Sequence, residues 1–115
     1  MSDAAQRKIR LQEELDRILP IIASQYEPDR IILFGSLVTG TVGAWSDLDI
    51  AIVKQTKKRF LDRLLEVANL VHSKIATDFV VYTPEEFADM LKNNYFVREE
   101  IVEKGKTLYD RNQSN

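Results

Sequence analysis

Apolar residues recur three and four apart at Leu11, Leu15, Ile18, Leu19 and Ile22, which predicts a first helix over about 7–26. Pro20 falls inside it and, lacking a backbone N–H, is expected to kink or split it. Beyond the turn Glu27-Pro28-Asp29 the helical period vanishes. Arg30-Ile31-Ile32-Leu33-Phe34 is a continuous apolar run, as in a strand buried on both faces. Gly35-Ser36 ends that run, and Leu37 to Val42 is expected to make a short helical turn, with Gly40 and Gly43 flanking its end. Asp47 to Val53 predicts a second strand, with Asp47, Asp49, Ala51 and Val53 on one face and Leu48, Ile50 and Ile52 on the other. A long amphipathic helix then runs from Lys57 to about Lys74, its buried stripe expected at Leu61, Leu64, Leu65, Ala68 and Val71. Thr77 to Tyr82 is a third β-like run. Thr83-Pro84-Glu85-Glu86 carries an N-cap, a proline at the first helical position and a capping-box glutamate. A helix of about two turns follows, then a last helix from Tyr95 to Lys104 with Gly105 as its C-cap. Thr107-Leu108-Tyr109 is expected to return to the sheet edge, and the polar tail, residues 111–115, to fray.

The resulting order, α-β-α-β-α-β-α-α, predicts a small α/β (α+β) domain around a short mixed sheet. At 115 residues it is expected to be one domain, residues 1–115, with a core over about 30–109. A net charge of −2, with both signs interspersed, argues against a dedicated nucleic-acid binder, so no direct nucleic-acid contact is expected. No apolar stretch approaches the ~20 residues that span a bilayer, and the first dozen residues are too polar for a signal-peptide core. With no cysteine there is no disulfide framework and no thiolate metal site. The chain is therefore expected in the cytoplasm, and any metal it holds should be a hard cation on oxygen ligands.

The candidate chemistry lies at Gly35-Ser36, Asp47-Leu48-Asp49 and Asp78. Two carboxylates two positions apart on a strand project from one face, and Asp78 begins a run that could lie beside it. Three acids converging on one face repel each other, and a divalent cation is the usual relief. Alternate aspartates start roughly 6.6 Å apart along a strand, near enough to lean together on one magnesium ion. A second metal would use one of them and Asp78, giving a two-metal site for phosphoryl or nucleotidyl transfer. Gly35 lets the backbone approach a phosphate, and Ser36 offers a hydroxyl and an N–H at a helix start. Asp78 is then the acid nearest the nucleophile, as metal ligand or proton acceptor. A lone Gly-Ser is an ordinary turn and a lone strand-end aspartate an ordinary acid; the specificity lies in their combination at one edge of an otherwise apolar strand.

Gly35-Ser36, ten residues and Asp47-Leu48-Asp49 together resemble the signature of the polymerase-beta-type nucleotidyltransferase superfamily. The ending Ile101-Val102-Glu103-Lys104-Gly105-Lys106-Thr107-Leu108-Tyr109 is similar to its minimal nucleotidyltransferase (MNT) branch, so that the likeness covers roughly Ile31 to Tyr109. The resemblance implies magnesium-dependent transfer from ATP. Gly35 and Ser36 would hold the triphosphate, Asp47 and Asp49 the metal and nucleotide, and Asp78 would be the third carboxylate. It also implies a partner, a HEPN ribonuclease toxin in a hetero-oligomer, which such antitoxins silence by moving AMP onto a tyrosine. Transfer to a small-molecule hydroxyl, and a binding-only antitoxin, are the alternatives. The first is weakened because such enzymes carry an additional substrate domain. Many relatives read Gly-Ser-x-Ala-Arg-Gly, whereas this chain has Val38-Thr39-Gly40; Lys54, Lys57 and Arg30 are the cations that could make up the charge.

Other residues are read as structural. His72 is expected to pack at a helix edge, with no second histidine for a zinc site. Lys57-Lys58-Arg59 and Glu99-Glu100 are expected on solvated helix faces. Trp45 is either a loop anchor or a stacking surface beside the acids.

Overall fold

The computed structural model of the protein describes residues 2–113. Its elements are α1 (Asp3–Ile21), β1 (Arg30–Phe34), α2 (Ser36–Thr39), β2 (Leu48–Val53), α3 (Phe60–Val71), β3 (Thr77–Tyr82), α4 (Pro84–Asn93) and β4 (Lys106–Asp110). Two π-helical stretches, Ile22–Tyr26 and Val97–Glu103, complete the order. The strands form one open mixed sheet, β3-β2-β1-β4. β1 is antiparallel to both β2 and β4, whereas β2 and β3 run parallel. The fold is therefore a small α+β domain, and the return of 107–109 to the sheet edge is met by β4.

Helices cover both faces of the two central strands, which explains their unbroken apolar runs. On one face Ile31, Leu33, Leu48, Ile50, Ile52 and Val81 pack with Leu11, Leu15 and Ile18 of α1 and Val67 and Val71 of α3. On the other, Ile32, Phe34, Ala51, Val53 and Tyr82 meet Phe87 of α4 and Val97 and Ile101. The alternation expected in β2 holds, since the odd and even residues separate into these two clusters.

Several local expectations need correction. The first helix starts earlier and does not split at Pro20: α1 passes through that residue and widens into the π-helical stretch one residue after Ile21. Pro20 lies in the last turn of α1, and its carbonyl accepts the Ser24 hydroxyl at 2.7 Å. α3 is shorter than expected and turned on its axis. Leu61, Leu65 and Ala68 are exposed, and the buried stripe is Arg63, Val67 and Val71. The reason is the Arg63 head group. It donates to the Lys58 carbonyl at 2.8 Å, the Val81 carbonyl at 3.0 Å and Glu86 at 2.7 Å. His72 does not pack at the helix edge; it is exposed, at φ 45°, and ends α3 in left-handed geometry. Gly105 is not a left-handed cap either, for the residue after Val97–Glu103 is Lys104 at φ −86°. A Cβ on Gly105 would clash with the Ile101 carbonyl and stand 3.0 Å from the Leu33 oxygen, so glycine is required chiefly for the chain to leave the 97–103 stretch past that carbonyl. Arg111 does not fray: it pairs with Asp29 at 2.8 Å, and the last two residues of the expected frayed tail lie outside the described ones.

The capping box forms as expected. Thr83 Oγ1 accepts from the Glu86 N–H at 3.1 Å, and Glu86 accepts from the Thr83 N–H at 2.8 Å. Glu86 thus serves the cap and Arg63 together, and the Arg63 hydrogen bond is the main reason its carboxyl titrates below the usual range. A second tie joins α1 to α3. Buried Glu14 accepts two bonds from Arg17 at 2.8 Å, and Arg17 also donates to the Val71 and His72 carbonyls. Replacing Arg63 by alanine strands the buried Val81 carbonyl, and should cost about 2–3 kcal/mol of stability. Arg59→Ala removes only an exposed pair with Asp62 and should change stability by less than about 0.5 kcal/mol. Urea denaturation of the two variants checks this; equal midpoints would deny Arg63 its role.

Candidate active site

The expected site residues collect at one end of the sheet. Phe34 pairs with Asp49 across the antiparallel β1–β2 ladder, and Asp49 pairs with Asp78 across the parallel β2–β3 ladder. One row therefore crosses three strands, Phe34, Asp49, Asp78, with backbones roughly 4.8 Å apart at each step. Asp47 stands one residue before β2, and Gly35-Ser36 follows directly on β1. Asp47, Asp49 and Ser36 are half-buried, whereas Asp78 on edge strand β3 is exposed. All five residues expected from the sequence are brought together.

Gly35 is held at φ 82°, the left-handed region that excludes most side chains. A Cβ there would stand 3.0 Å from the Asp49 Cγ and closer still to Oδ2. The absence of a side chain is thus what lets the turn and the carboxylate share one space. Thr39, where the resemblance leads one to expect a basic residue, donates its hydroxyl to the Gly35 carbonyl at 3.3 Å and lies 2.8 Å from the Thr41 hydroxyl. It ties the turn instead of charging it. The loop to Asp47 is fixed by two contacts with Ser46: its hydroxyl accepts the Gly43 N–H, and its carbonyl accepts Arg7 Nε of α1, both at 2.8 Å.

The cations expected to replace the missing charge lie elsewhere. Arg30 opens β1 at the far end of the sheet, bonded to Thr107 and lying over the Phe87 ring. Lys54 follows β2 at that same far end, donating to the Tyr26 carbonyl, and Lys57 is in the loop after it. The register brings a different cation to the site end, exposed Lys106, which pairs with Leu33 two residues before Gly35. Phe96 also belongs here, meeting Phe34 edge-on with ring centroids 5.9 Å apart. Neither was legible earlier, because only the β1–β4 register and the seating of 97–103 on the sheet reveal them. Trp45 is no loop anchor, being 90% exposed beside a hollow of about 250 Å³ that also borders Arg7 and Arg10.

Asp49 carries the electrostatic signature. Its carboxyl is pushed up to about 6, first by burial, then by the charges of Asp78 and Asp47, and by a hydrogen bond shared with Asp78. Among the described residues no three acids or histidines close into a ready metal cage, so the trio stands as facing like charges. That is the situation a hard divalent cation relieves, and carboxylate oxygens are the donors it prefers. The residues fit such an ion.

Because the folded-state value lies above the unfolded one, protonated Asp49 favours the native state. Its contribution is complete below roughly pH 4 and is lost as pH rises through about 6. Discounted for solvent screening at a half-buried group, the change is about 1 kcal/mol. Without added metal, wild-type stability should therefore fall relative to Asp49→Asn across that window. Denaturation midpoints of the two proteins that move in parallel with pH would contradict the shift.

The chain matches the family model described as Polymerase beta, Nucleotidyltransferase over residues 16–114. It is 35% identical over 113 residues to a Haemophilus influenzae protein named probable protein adenylyltransferase MntA, covering 94% of this chain and 95% of that one. Its fold is similar to the crystal structure of a candidate nucleotidyltransferase from Sulfolobus solfataricus, with a TM-score of 0.69 over 99% of this chain and 93% of that one; at 20% identity this likeness speaks to the fold alone. The family match thus begins well before Ile31 and takes in the last third of α1. The chain belongs to the polymerase beta nucleotidyltransferase family, in its MNT-type branch, and is a nucleotidyltransferase.

Proposed function

We propose that the chain transfers AMP from ATP to a tyrosine hydroxyl of a HEPN ribonuclease toxin and so neutralises it in the cytoplasm, acting as one minimal domain. The single observation that carries the reading is the convergence of Gly35, Asp49 and Asp78: a side-chain-free turn against the Asp49 carboxylate at one end and an exposed acid on an edge strand at the other. A relative named as a probable protein adenylyltransferase supports the choice of a protein acceptor. So does the solvent-facing position of Asp78, which a tyrosine borne on another protein can reach.

Asp47 and Asp49, with Asp78, would hold magnesium ions; when bound, these supply the positive charge that polarises the phosphoryl oxygens. Gly35 and Ser36 receive the triphosphate by close backbone approach and the serine hydroxyl. Lys106 supplies the cation that Thr39 does not. Asp78 accepts the proton of the acceptor hydroxyl as its oxygen bonds to the α-phosphorus. The bond from that phosphorus to the bridging oxygen breaks, and pyrophosphate leaves. Trp45 flanks this rim and is the surface the toxin is expected to cover.

Asp47→Asn combined with Asp49→Asn should abolish transfer while leaving the fold intact. Asp78→Ala should lower turnover by roughly 10²–10⁴ with a modest change in ATP affinity, as for loss of a general base. Transfer by the double variant at saturating ATP and magnesium would sink the metal assignment. Mass spectrometry of the toxin after incubation with this protein, ATP and magnesium should show added AMP. A toxin left unmodified yet fully inhibited would mean that inhibition is by binding alone.

A further inference from the structure

Phe96 is a large aromatic left half in solvent, 49% exposed, with Tyr95 beside it at 68%. It is not stranded at random. Its ring meets Phe34 at an interplanar angle of 87°, and Phe34 is buried, immediately precedes Gly35 and lies next to Asp49. An edge contact of this kind occupies at most one face of the Phe96 ring and leaves the other open. Through Phe34 the aromatic corner therefore adjoins both the Gly35-Ser36 turn and the acidic row.

The side on which it stands distinguishes its occupant. Gly35-Ser36 and Phe34 lie on β1, inside the sheet, while Asp78 lies on the edge strand β3. α2 packs towards the α1–α3 face through Leu37 and Val38, whereas Asp49, Phe34 and Phe96 face the α4 side. A triphosphate received from the α2 side and turned at Asp49 sends its nucleoside towards α4. An acceptor approaching Asp78 reaches the same face from the β3 edge, on the other side of β2 from Phe34. Resting on the nucleotidyl-transfer reading above, we infer that the open face of Phe96 is the stacking platform for the purine base of the nucleotide, with Tyr95 as its flank. Stacking on an aromatic face tolerates any base and needs no hydrogen-bonding pocket.

Calorimetric titration of wild type, Phe96→Leu and Phe96→Trp with Mg·ATP and with Mg·tripolyphosphate tests this. Leucine keeps the apolar contact with Phe34 and removes the planar face, so the fold should survive. Phe96→Leu should bind Mg·ATP roughly fivefold to a hundredfold more weakly. It should bind Mg·tripolyphosphate within about twofold of wild type, and Phe96→Trp should restore ATP affinity. If Phe96→Leu binds ATP like wild type, or weakens both ligands equally, the base platform is overturned while the nucleotidyl-transfer reading stands. A wild-type chain that binds neither ligand overturns that reading and this inference with it.

Discussion

Everything at the functional end of the molecule depends on the seating of β2 between an antiparallel and a parallel neighbour. Because side chains alternate with a period of two, slipping β2 by one residue would turn Asp49 into the α1–α3 core and Leu48, Ile50 and Ile52 out of it. Burial of each of those side chains is worth roughly 1.5–3 kcal/mol. Repulsion among the carboxylates, on the order of 1 kcal/mol once screened, cannot compete. The core on both faces thus fixes the register, and the register forces Asp49 against Asp78 and Gly35. The site is a strained by-product that the rest of the strand holds in place.

The polar ties are arranged to protect that register from the sides. Arg63 links α3 to the Val81 carbonyl of β3 and to the Thr83–Glu86 cap of α4, so the element on one face is clamped to the element on the other across the edge strand. Glu14 and Arg17 tie α1 to the end of α3 within one face. The charges differ in sign of effect. Glu86 is held below its ordinary range and contributes above the unfolded value, fading as pH falls, whereas Asp49 is raised and favours the native state only at low pH. The Glu86 contribution is therefore complete by about the ordinary glutamate value, before Asp49 acquires, as pH rises through about 6, the charge that a cation would neutralise.

What could be read from the chain alone was whatever depends on local pattern. The apolar run 30–34, the alternation in β2, the capping box at Thr83 and the acids on one face all follow from neighbours a few residues apart. What could not be read depends on distant partners. Leu61 and Leu65 were expected inside because they are apolar, yet Arg63 takes that side of α3, since its head group finds a carbonyl on β3 and a carboxylate on α4. The glycine at 105 reads as a left-handed helix cap, yet its φ is not positive, and what it accommodates is the Ile101 carbonyl, with the Leu33 oxygen of β1 close beside it. Arg30 and Lys54 are close to the acids in sequence but at the far end of their strands, whereas Lys106 is remote in sequence and near in space. The π-helical widening at Ile22–Tyr26 and Val97–Glu103 leaves no periodic signal of its own.

On the proposed function, the row from Phe34 to Asp78 accounts for an acceptor that is brought by a partner rather than captured. Moving outward from β1, each successive residue is more exposed: Phe34 is buried, Asp49 half-buried and Asp78 open on the edge. The inner end has backbone, glycine and aromatic surface to hold a nucleotide. The outer end presents a carboxylate to solvent and little that could orient a hydroxyl. Correct orientation of two reactants is worth roughly 7–11 kcal/mol of barrier, far more than one exposed carboxylate supplies. On the proposed function, that difference comes from the surface of the protein that bears the tyrosine. On that same proposal a free hydroxyl or water, meeting the same rim, would have nothing to hold it in line, and ATP would be spared from hydrolysis until the acceptor docks.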